Sequence, residues 1–361
     1  MALPDVCVVG AGPAGLACAI TAAQRGLRVR VLDAARAGPV DKACGEGLLP
    51  DALDRLDRMG VRDLHGRPIA GIRFLSHNRA AHARFRVAQG MGVRRTELHR
   101  AMLDRAAELG VAVEWGVPLR ALEDIHAGIL VGADGSQSRV RALARLESQV
   151  TTRRVGLRQH FAIAPWSEFV EVYWANGAQA YVTPVGEQQV GIAFLSTQKF
   201  DTMAQALNLF PELQSRLAGA PTLSTARGAL TVTRRVRRVT TGRIALVGDA
   251  SGSVDAITGE GMNLCFRQAD ALSEALAANH LARYESAHSK TLRMARGMSA
   301  ALLLMSASPT LRQATMAVFA TAPPVFEALL RMHVTGFLPP PDNQTAKTGY
   351  KQSQAAINAT R

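Results

Sequence analysis

The sequence of 361 residues is poor in cysteine and in aromatic residues. Its four cysteines, Cys7, Cys18, Cys44 and Cys265, lie far apart and form no C-x-x-C pair. This spacing argues against both a zinc site and a disulfide framework, so we predict no bound metal and a reducing compartment. Aromatic residues make up 5% of the chain and leave few platforms on which bases could stack, so we expect no nucleic-acid partner.

Long apolar runs are absent as well. The longest, near residues 298–305, is far below the roughly 18 apolar residues that a helix needs to cross a bilayer. We therefore predict no transmembrane segment. An apolar strand begins almost at Met1, with no basic region or cleavable apolar segment ahead of it, and this pattern predicts a cytoplasmic protein.

Acidic residues are outnumbered by basic ones, 29 to 42, which gives the chain a formal charge of +13. Arginines cluster at residues 153–154, 234–238 and 293–296. Two interpretations stay open. The clusters form a surface for an acidic partner, such as a carrier protein, a peripherally contacted anionic membrane or a charged substrate, or they form an ordinary solvated face.

The first motif is a glycine-rich turn between an apolar strand at residues 6–9 and a segment of good helix formers. Gly10, Gly12 and Gly15 follow the spacing G-x-G-x-x-G. Gly10 permits a tight turn, Gly12 lets the backbone approach a pyrophosphate, and Gly15 lets the helix pack closely on the strand. A second strand ends at Asp33, about 20 positions further on, where a carboxylate can accept hydrogen bonds from a ribose. This context predicts a dinucleotide-binding site.

Two further strands end in a glycine and an acid. Residues 129–132 lead into Asp134-Gly135, and residues 244–247 lead into Gly248-Asp249. Beyond the second of these, Gly261 opens a long predicted helix. The first N–H groups of a helix have no partner within it and lie at the positive end of its dipole. Such a helix end attracts an anionic group that lies close to its first turn.

The remaining segments predict a second lobe and a helical end. Short strand-like segments between residues 155 and 194, separated by turns, predict an antiparallel sheet. We also predict a helix over residues 200–218, a strand over 229–239, and C-terminal helices over 282–305, 310–320 and 325–332.

The three strand ends together carry a family resemblance. Asp134, Gly135, Ser138 and Arg141 match the motif D-G-x-x-S-x-x-R, and residues 248–250 match G-D-A. With the glycine turn, these motifs resemble the flavoprotein superfamily of para-hydroxybenzoate hydroxylase over roughly residues 5–284. The resemblance implies an α/β fold with a Rossmann-like FAD-binding lobe of the glutathione reductase type, a second antiparallel-sheet substrate lobe and C-terminal helices.

From the resemblance and the segment pattern we predict a discontinuous organisation. The FAD-binding domain is expected to comprise residues 1–70, 90–150 and 240–285. The antiparallel-sheet substrate domain is expected to comprise residues 71–89 and 151–239, followed by C-terminal helices over 286–337 and a disordered tail over 338–361.

The resemblance implies FAD as the cofactor. Asp33 would hold the adenosine ribose, Arg95 would lie near the pyrophosphate, and Asp249 would bind the ribityl chain. A reduced flavin carries negative charge at its N1–C2=O edge, which the helix end at Gly261 would stabilise. The full set of implied cofactor-binding residues is Gly10, Gly12, Ala14, Gly15, Asp33, Arg36, Lys42, Cys44, Gly45, Arg95, Asp134, Gly248, Asp249, Gly259, Gly261, Met262 and Asn263.

Two loops are similar to those of the geranylgeranyl reductase branch. Residues 42–47 resemble the K-x-C-G loop beside the flavin, and residues 255–261 resemble D-P-x-T-G-E-G. Other segments depart from known branches. Residues 181–184 lack the Trp and Phe of the prenyl reductase segment Y-x-W-x-F-P, and the chain lacks the W-x-W-x-I-P of halogenases. Ser251-Gly252 follows G-D-A where aromatic hydroxylases carry Ala and then His.

The resemblance implies a single-component monooxygenase that uses NADH or NADPH and inserts one oxygen atom, through a flavin C4a-hydroperoxide, into an organic, partly apolar or aromatic substrate. One alternative is a reductase of a lipid double bond, similar to the geranylgeranyl reductases. Another is a flavoenzyme that modifies a residue of a partner protein or a carrier-bound intermediate.

The substrate is expected between the flavin and the antiparallel sheet. Glu46 and His160 are candidates for acid or base catalysis there, and Tyr181 is a candidate hydrogen-bonding platform. Each residue also has a purely structural interpretation. Glu46 could cap a loop, His160 could be a satisfied strand residue, and Tyr181 could belong to the core.

Overall fold

The structure is a computed structural model that describes residues 3–76 and 79–335. In these ranges the strands are β1 Val6–Val9, β2 Val29–Asp33, β3 Gly47–Leu48, β4 Gly66–Ile69, β5 Gly71–Ser76, β6 Arg79–Arg84, β7 Gly90–Val93, β8 Ala112–Trp115, β9 Ile129–Gly132, β10 Ser148–Phe161, β11 Phe169–Ala175, β12 Ala178–Gly186, β13 Gln189–Ser196, β14 Arg227–Val236, β15 Thr240–Thr241 and β16 Ile244–Leu246.

The α-helices of the described ranges are α1 Pro13–Ala23, α2 Pro50–Arg58, α3 Arg95–Glu108, α4 Arg139–Leu143, α5 Met203–Leu207, α6 Pro211–Arg216, α7 Gly261–Ala277, α8 Ala282–Ala307, α9 Pro309–Thr321 and α10 Pro323–Thr335. Two short 3-10 helices span Gly248–Ser251 and Ala256–Thr258. The predicted tail, residues 338–361, lies outside the described residues.

A six-stranded sheet forms the first layer, in the order β15-β16-β9-β1-β2-β8. All its pairs are parallel except β15 with β16. The register aligns the strand ends, because Val9 lies opposite both Leu32 and Gly132, and Gly132 lies opposite Leu246. The residues that follow β1, β2, β9 and β16 therefore meet at one edge of the sheet, where ligands bind in open parallel sheets.

A seven-stranded sheet forms the second layer, in the order β14-β10-β13-β12-β11-β5-β6. Its pairs are antiparallel except β11 with β5. One face packs against α5 and α6, and the other packs against the C-terminal helices α8, α9 and α10. The predicted combination of a Rossmann-like lobe, an antiparallel sheet and C-terminal helices is confirmed.

A third sheet of three short strands, β3-β7-β4, was not predicted from the sequence. Its strands are two to four residues long, too short to show a repeating pattern. It lies close to β12, because a Cβ added at Gly92 would stand 1.7 Å from the carbonyl oxygen of Pro184. The small sheet thus joins the loop that carries residues 42–47 to the seven-stranded sheet.

One prediction of local structure needs correction. The single helix predicted over residues 200–218 is wrong, because the chain forms two short helices, α5 and α6, separated at Pro211. Proline has no N–H and disfavours helical geometry in the residue before it, so it starts a helix more readily than it continues one.

The contact at Gly92 gives the first prediction. Replacing Gly92 with alanine forces a methyl group against the Pro184 carbonyl, and overpacking of this kind destabilises by about 2 kcal/mol. Urea unfolding should show this loss. The matched change Gly228→Ala, at a position with open space around the new Cβ, should leave the free energy of unfolding nearly unchanged. Equal stabilities of the two variants would contradict the close approach of the small sheet.

Candidate functional site

Backbone packing explains two glycines of the first motif. Gly10 adopts φ +108°, and a Cβ there would lie 2.5 Å from the carbonyl oxygen of Ala133. A Cβ at Gly15 would lie 1.8 Å from the carbonyl oxygen of Gly10. No side chain fits at either position, so the ends of β1 and β9 and the start of α1 meet backbone to backbone.

Gly12 differs, because no atom lies within 4 Å of the Cβ it would carry. Its φ of −69° is also one that any residue adopts. The same open space surrounds Gly45, Gly259 and Gly261, which come from two further loops. No contact within the described residues requires glycine at Gly12. The open space there is a site that a ligand can occupy and that a Cβ would partly fill.

Asp33 supports the glycine turn directly. Its Oδ2 accepts a hydrogen bond of 2.6 Å from the Ala11 N–H, and its Oδ1 accepts one of 2.7 Å from the Ala35 N–H. Each carboxylate oxygen has a second lone pair with which it can bind a hydroxyl group. Arg36, which follows in the same loop, is exposed.

His99 was missed by sequence reasoning, although it is buried against the same turn. Its Nδ1 accepts from the Val40 N–H at 2.9 Å, so its Nε2 carries the proton and donates to the Ala11 carbonyl at 2.6 Å. Burial lowers the pKa of His99 and keeps it neutral. Because His99 and Ala11 are 88 residues apart, no local sequence signal could pair them.

Side chains of the second motif make hydrogen bonds to backbone groups of the protein. Asp134 Oδ2 caps α4 by accepting from the N–H groups of Arg139 and Val140, at 2.6 and 3.1 Å. The Arg141 guanidinium donates to the Ala250 carbonyl at 2.9 Å, which ties the second motif to the third. Asp134 Oδ1 is buried without a partner among the described residues.

The third motif lies directly on α1. Gly248 adopts φ +58°, and a Cβ there would stand 2.7 Å from the Cβ of Ala14. Its N–H donates to Gln268 Oε1 at 2.7 Å, which fixes the turn to α7. The structure therefore brings the three predicted motifs together around one space.

Charged side chains face one another across this space. The Asp249 side chain remains accessible to solvent. Desolvation by the protein around it raises the pKa of its carboxyl, whereas the nearby cations Lys42 and Arg95 lower that pKa. Lys42 Nζ is also 4.0 Å from where a Cβ on Gly135 would stand. The Nε of Arg95 is buried without a partner among the described residues. A polyanionic ligand would thus meet two cations here.

Helix α7 begins beside this space with Gly261, Met262 and Asn263. Asn263 is buried, and both its amide oxygen and its amide nitrogen lack a partner in the described part of the chain. A buried amide without hydrogen-bond partners costs free energy, so we expect a bound molecule to provide the partners of Asn263. A molecule with a pyrophosphate, a ribose and a hydrogen-bonding ring fits these residues, as FAD does. When bound, FAD would supply hydride chemistry that no side chain here can perform.

The loop before α7 is anchored from the seven-stranded sheet. Asp255 forms a buried ion pair with Arg154 at 3.1 Å and also accepts from the Ile257 N–H at 3.0 Å. The Tyr181 hydroxyl donates to the Ile257 carbonyl at 2.9 Å. Tyr181 thus contacts the loop before α7, and burial raises the pKa of its hydroxyl.

Glu260 and His333 form a second anchor for this loop, which sequence reasoning also missed. His333 Nε2 donates to the Thr258 carbonyl at 3.0 Å, so its Nδ1 is the basic nitrogen, 3.0 Å from Glu260 Oε2. The contact is a close approach only, because His333 Nδ1 has no hydrogen-bond partner among the described residues. Burial raises the pKa of Glu260 to about 7 and lowers that of His333 to about 4, which agrees with a neutral pair.

The two acid–base candidates, Glu46 and His160, are hydrogen-bonded to each other and buried. His160 Nε2 donates to Glu46 Oε2 at 2.6 Å, because its Nδ1 must accept from Arg158 at 3.1 Å. Glu46 Oε1 accepts from the Arg95 N–H at 2.9 Å, at the positive end of α3. Glu46 also adopts φ +60°, a rare conformation that these bonds hold in place.

The neutral Glu260–His333 pair gives a prediction of pH dependence. The carboxyl has a pKa of about 7 in the fold and an ordinary value of 4.5, so its contribution to stability is complete below pH 4.5 and is lost as pH rises through 7. Glu260→Gln keeps the size and shape of the side chain but cannot ionise. Relative to wild type, the variant should gain on the order of 3 kcal/mol between pH 4.5 and 8.

Urea unfolding at a series of pH values measures this difference. The titration of His333 is present in both proteins and largely cancels. Exposed Glu123→Gln serves as the control and should show no such trend. A difference between Glu260→Gln and wild type that stays constant from pH 4.5 to 8 would refute the neutral pair.

Comparisons with known proteins agree with this geometry. The chain is 29% identical over 356 residues to a menaquinone reductase of Mycolicibacterium smegmatis, covering 86% of each chain. It is 28% identical over 290 residues to digeranylgeranylglycerophospholipid reductase 1 of Methanopyrus kandleri, covering 72% of this chain and 76% of that one. It is 32% identical over 168 residues to a 6-methylpretetramide 4-monooxygenase of Streptomyces rimosus, covering 38% of this chain and 30% of that one.

Solved structures share the fold. A flavoprotein/dehydrogenase from Cytophaga hutchinsonii superposes with a TM-score of 0.79 at 16% identity and covers all of both chains. The p-nitrophenol 4-monooxygenase from Pseudomonas putida superposes with a TM-score of 0.78 at 19% identity, covering 93% of this chain and 99% of that one.

No described helix is long and apolar enough to cross a membrane. The sequence profile of the family described as FAD binding domain matches residues 4–125 and 120–297, which is most of the chain. The three motifs, the cleft they enclose and this match agree: the chain belongs to the FAD binding domain family, within the superfamily of para-hydroxybenzoate hydroxylase, and is an FAD-dependent oxidoreductase.

Proposed function

We propose that this FAD-dependent oxidoreductase reduces carbon–carbon double bonds in the isoprenoid chain of a lipid, with NADH or NADPH as the electron donor. The relatives that align with most of the chain are named as reductases of menaquinone and of digeranylgeranylglycerophospholipid. Both of these molecules carry long apolar isoprenoid chains. The two loops of the geranylgeranyl reductase type, at residues 42–47 and 255–261, support the same substrate class.

The observation that carries the proposal is an apolar layer beside the cofactor loop. Ile257 is buried in the same cluster as Phe74, Trp174, Phe319 and Phe326, between the seven-stranded sheet and the C-terminal helices. The rings of Phe319 and Phe326 stack at 4.4 Å, and those of Phe74 and Phe326 lie 4.8 Å apart. A long hydrocarbon chain would gain most by lying against this layer, since burial of apolar surface drives its binding.

Glu46, His160 and Tyr181 are proposed as positioning residues. The side chains of Glu46 and His160 are at most 1% exposed and bond to each other. Glu46 accepts a hydrogen bond from the backbone N–H of Arg95 in the first turn of α3. Tyr181 donates one to the Ile257 carbonyl in the loop before α7. Through these contacts the sheet would fix the cofactor against the apolar layer, because small displacements of reacting groups slow a reaction strongly.

A monooxygenase is the second candidate. It is favoured by the 32% identity to 6-methylpretetramide 4-monooxygenase, although that match spans 38% of the chain whereas the reductases match 72% or more. The two candidates differ in their need for oxygen. A reductase adds two hydrogen atoms to its substrate without O2, whereas a monooxygenase adds one oxygen atom from it.

The function is tested by incubating the FAD-loaded protein with NADH or NADPH and an isoprenoid lipid, either menaquinone or digeranylgeranylglycerophospholipid, in the absence of oxygen. We expect the isoprenoid chain of the lipid to gain pairs of hydrogen atoms, as measured by mass spectrometry of chain fragments after any quinol has been reoxidised in air. The protein without added lipid is the control. No anaerobic product, together with oxygen-dependent gain of one oxygen atom, would reject the reductase in favour of the monooxygenase.

Cofactor binding is tested at Gly12. Because its Cβ would enter open space at a permitted φ, Gly12→Val should fold as wild type does but should bind FAD about 100-fold more weakly. Flavin absorbance of the purified protein and titration of the apoprotein with FAD measure the loss. Gly297→Ala in α8, also without neighbours at the new Cβ, should retain FAD. FAD binding by Gly12→Val with the affinity of the wild type would contradict the inference that the space at Gly12 is part of the FAD site.

A further inference from the structure

Exposed apolar side chains gather on the C-terminal helices. Four of the nine large apolar side chains that are exposed among the described residues lie between residues 304 and 325, namely Leu304 at 62%, Leu311 at 42%, Val318 at 48% and Val325 at 43%. Scattered exposed leucines are ordinary, but a concentration of them on one surface marks an interaction site. We name these four side chains the α9 face.

The α9 face follows from the helix geometry. Leu311 and Val318 are seven residues apart, so they lie on one side of α9. Leu304 is in the last turn of α8 and Val325 in the first turn of α10, the two helices that α9 joins. The opposite side of α9 carries buried Met316 and Phe319, which pack into the apolar layer. Helix α9 is therefore apolar on both its inner and its outer side.

The charges around the α9 face have one sign. Between residues 286 and 335 the sequence has a single acidic residue, Glu327, and this carboxylate pairs with Arg86. Exposed Arg79 donates to the Gln313 carbonyl of α9, and exposed Arg331 lies on α10. Exposed aliphatic side chains beside basic residues are typical of helices that rest on anionic lipid. A protein partner would more often meet aromatic residues at the centre of such a patch.

We propose that the α9 face, Leu304, Leu311, Val318 and Val325, is the surface on which this enzyme docks to an anionic lipid bilayer. The inference deepens the proposed function and rests on it for the substrate, because an isoprenoid lipid resides in a bilayer. Docked in this way, the enzyme would have the layer of Phe319 and Phe326 directly behind the helix that contacts the membrane. A lipid chain could then pass from the bilayer to the cofactor loop without crossing water.

The test is co-sedimentation of the full FAD-loaded chain with vesicles. We expect binding to phosphatidylglycerol-containing vesicles that weakens with salt, and much weaker binding to pure phosphatidylcholine vesicles. The double variant Leu311→Asp/Val318→Asp should lose about 100-fold in apparent affinity for the vesicles, because it replaces two apolar side chains at the membrane surface with charges that anionic lipid repels. The control Leu230→Asp, at an exposed leucine on β14, should bind as wild type does, and the FAD content of both variants should be unchanged.

Several outcomes would overturn the docking proposal. They are no binding to anionic vesicles, equal loss in Leu230→Asp, or a wild-type dimer in size-exclusion chromatography that the double variant dissociates, which would assign the face to a second copy of the chain. Loss of binding on removal of residues 336–361, with the double variant unaffected, would assign docking to that segment instead. Binding without lipid reduction would reject the proposed function alone, and reduction of detergent-dispersed lipid without vesicle binding would reject docking alone.

Discussion

The structure depends on a close approach of turns that leaves no room for a Cβ at three glycines. Gly10 lies against Ala133, Gly15 lies against the Gly10 carbonyl, and Gly248 lies against Ala14. The parallel register of β1, β9 and β16 places these turns side by side. Since the floor of the cleft is largely backbone, its shape follows from the sheet, and the N–H groups of Gly10 and Gly248 are already bonded within the protein. The open positions at Gly12, Gly45, Gly259 and Gly261 are the space left above that floor.

Buried polar pairs from the rest of the molecule hold the loops around this floor. Glu46 with His160 holds the loop at residues 42–47, Arg154 with Asp255 holds the start of the loop before α7, and Glu260 with His333 ties the same loop to α10. Buried polar and charged pairs contribute little net stability, because desolvation offsets their attraction. Their value here is positional, since each fixes a loop that lines the cofactor cleft to an element outside the FAD-binding sheet.

The sequence predicted what is local in the chain. Asp33, the Asp134–Arg141 motif and Gly248 each stand at a fixed distance from an apolar strand, so their positions could be inferred from spacing. The partners His99, Gln268 and His333 could not, because each acts on a backbone group 20 to 88 residues away. The small sheet escaped notice because its strands are too short to show a period, and the break at Pro211 because helix-forming residues surround it. Glu46 and His160 were candidates from the sequence, but only the structure shows that they bond to each other and are buried.

We propose that three strand ends hold a single FAD, with its pyrophosphate over Gly12 and its ring at the first turn of α7. Determination of the FAD-bound structure tests this most directly. The account predicts pyrophosphate oxygens within hydrogen-bonding distance of the first N–H groups of α1, ring atoms bonded to the Asn263 amide, and no change in the contacts of Gly10, Gly15 and Gly248. FAD bound at another surface, or a cleft that opens by separating those three turns, would contradict it.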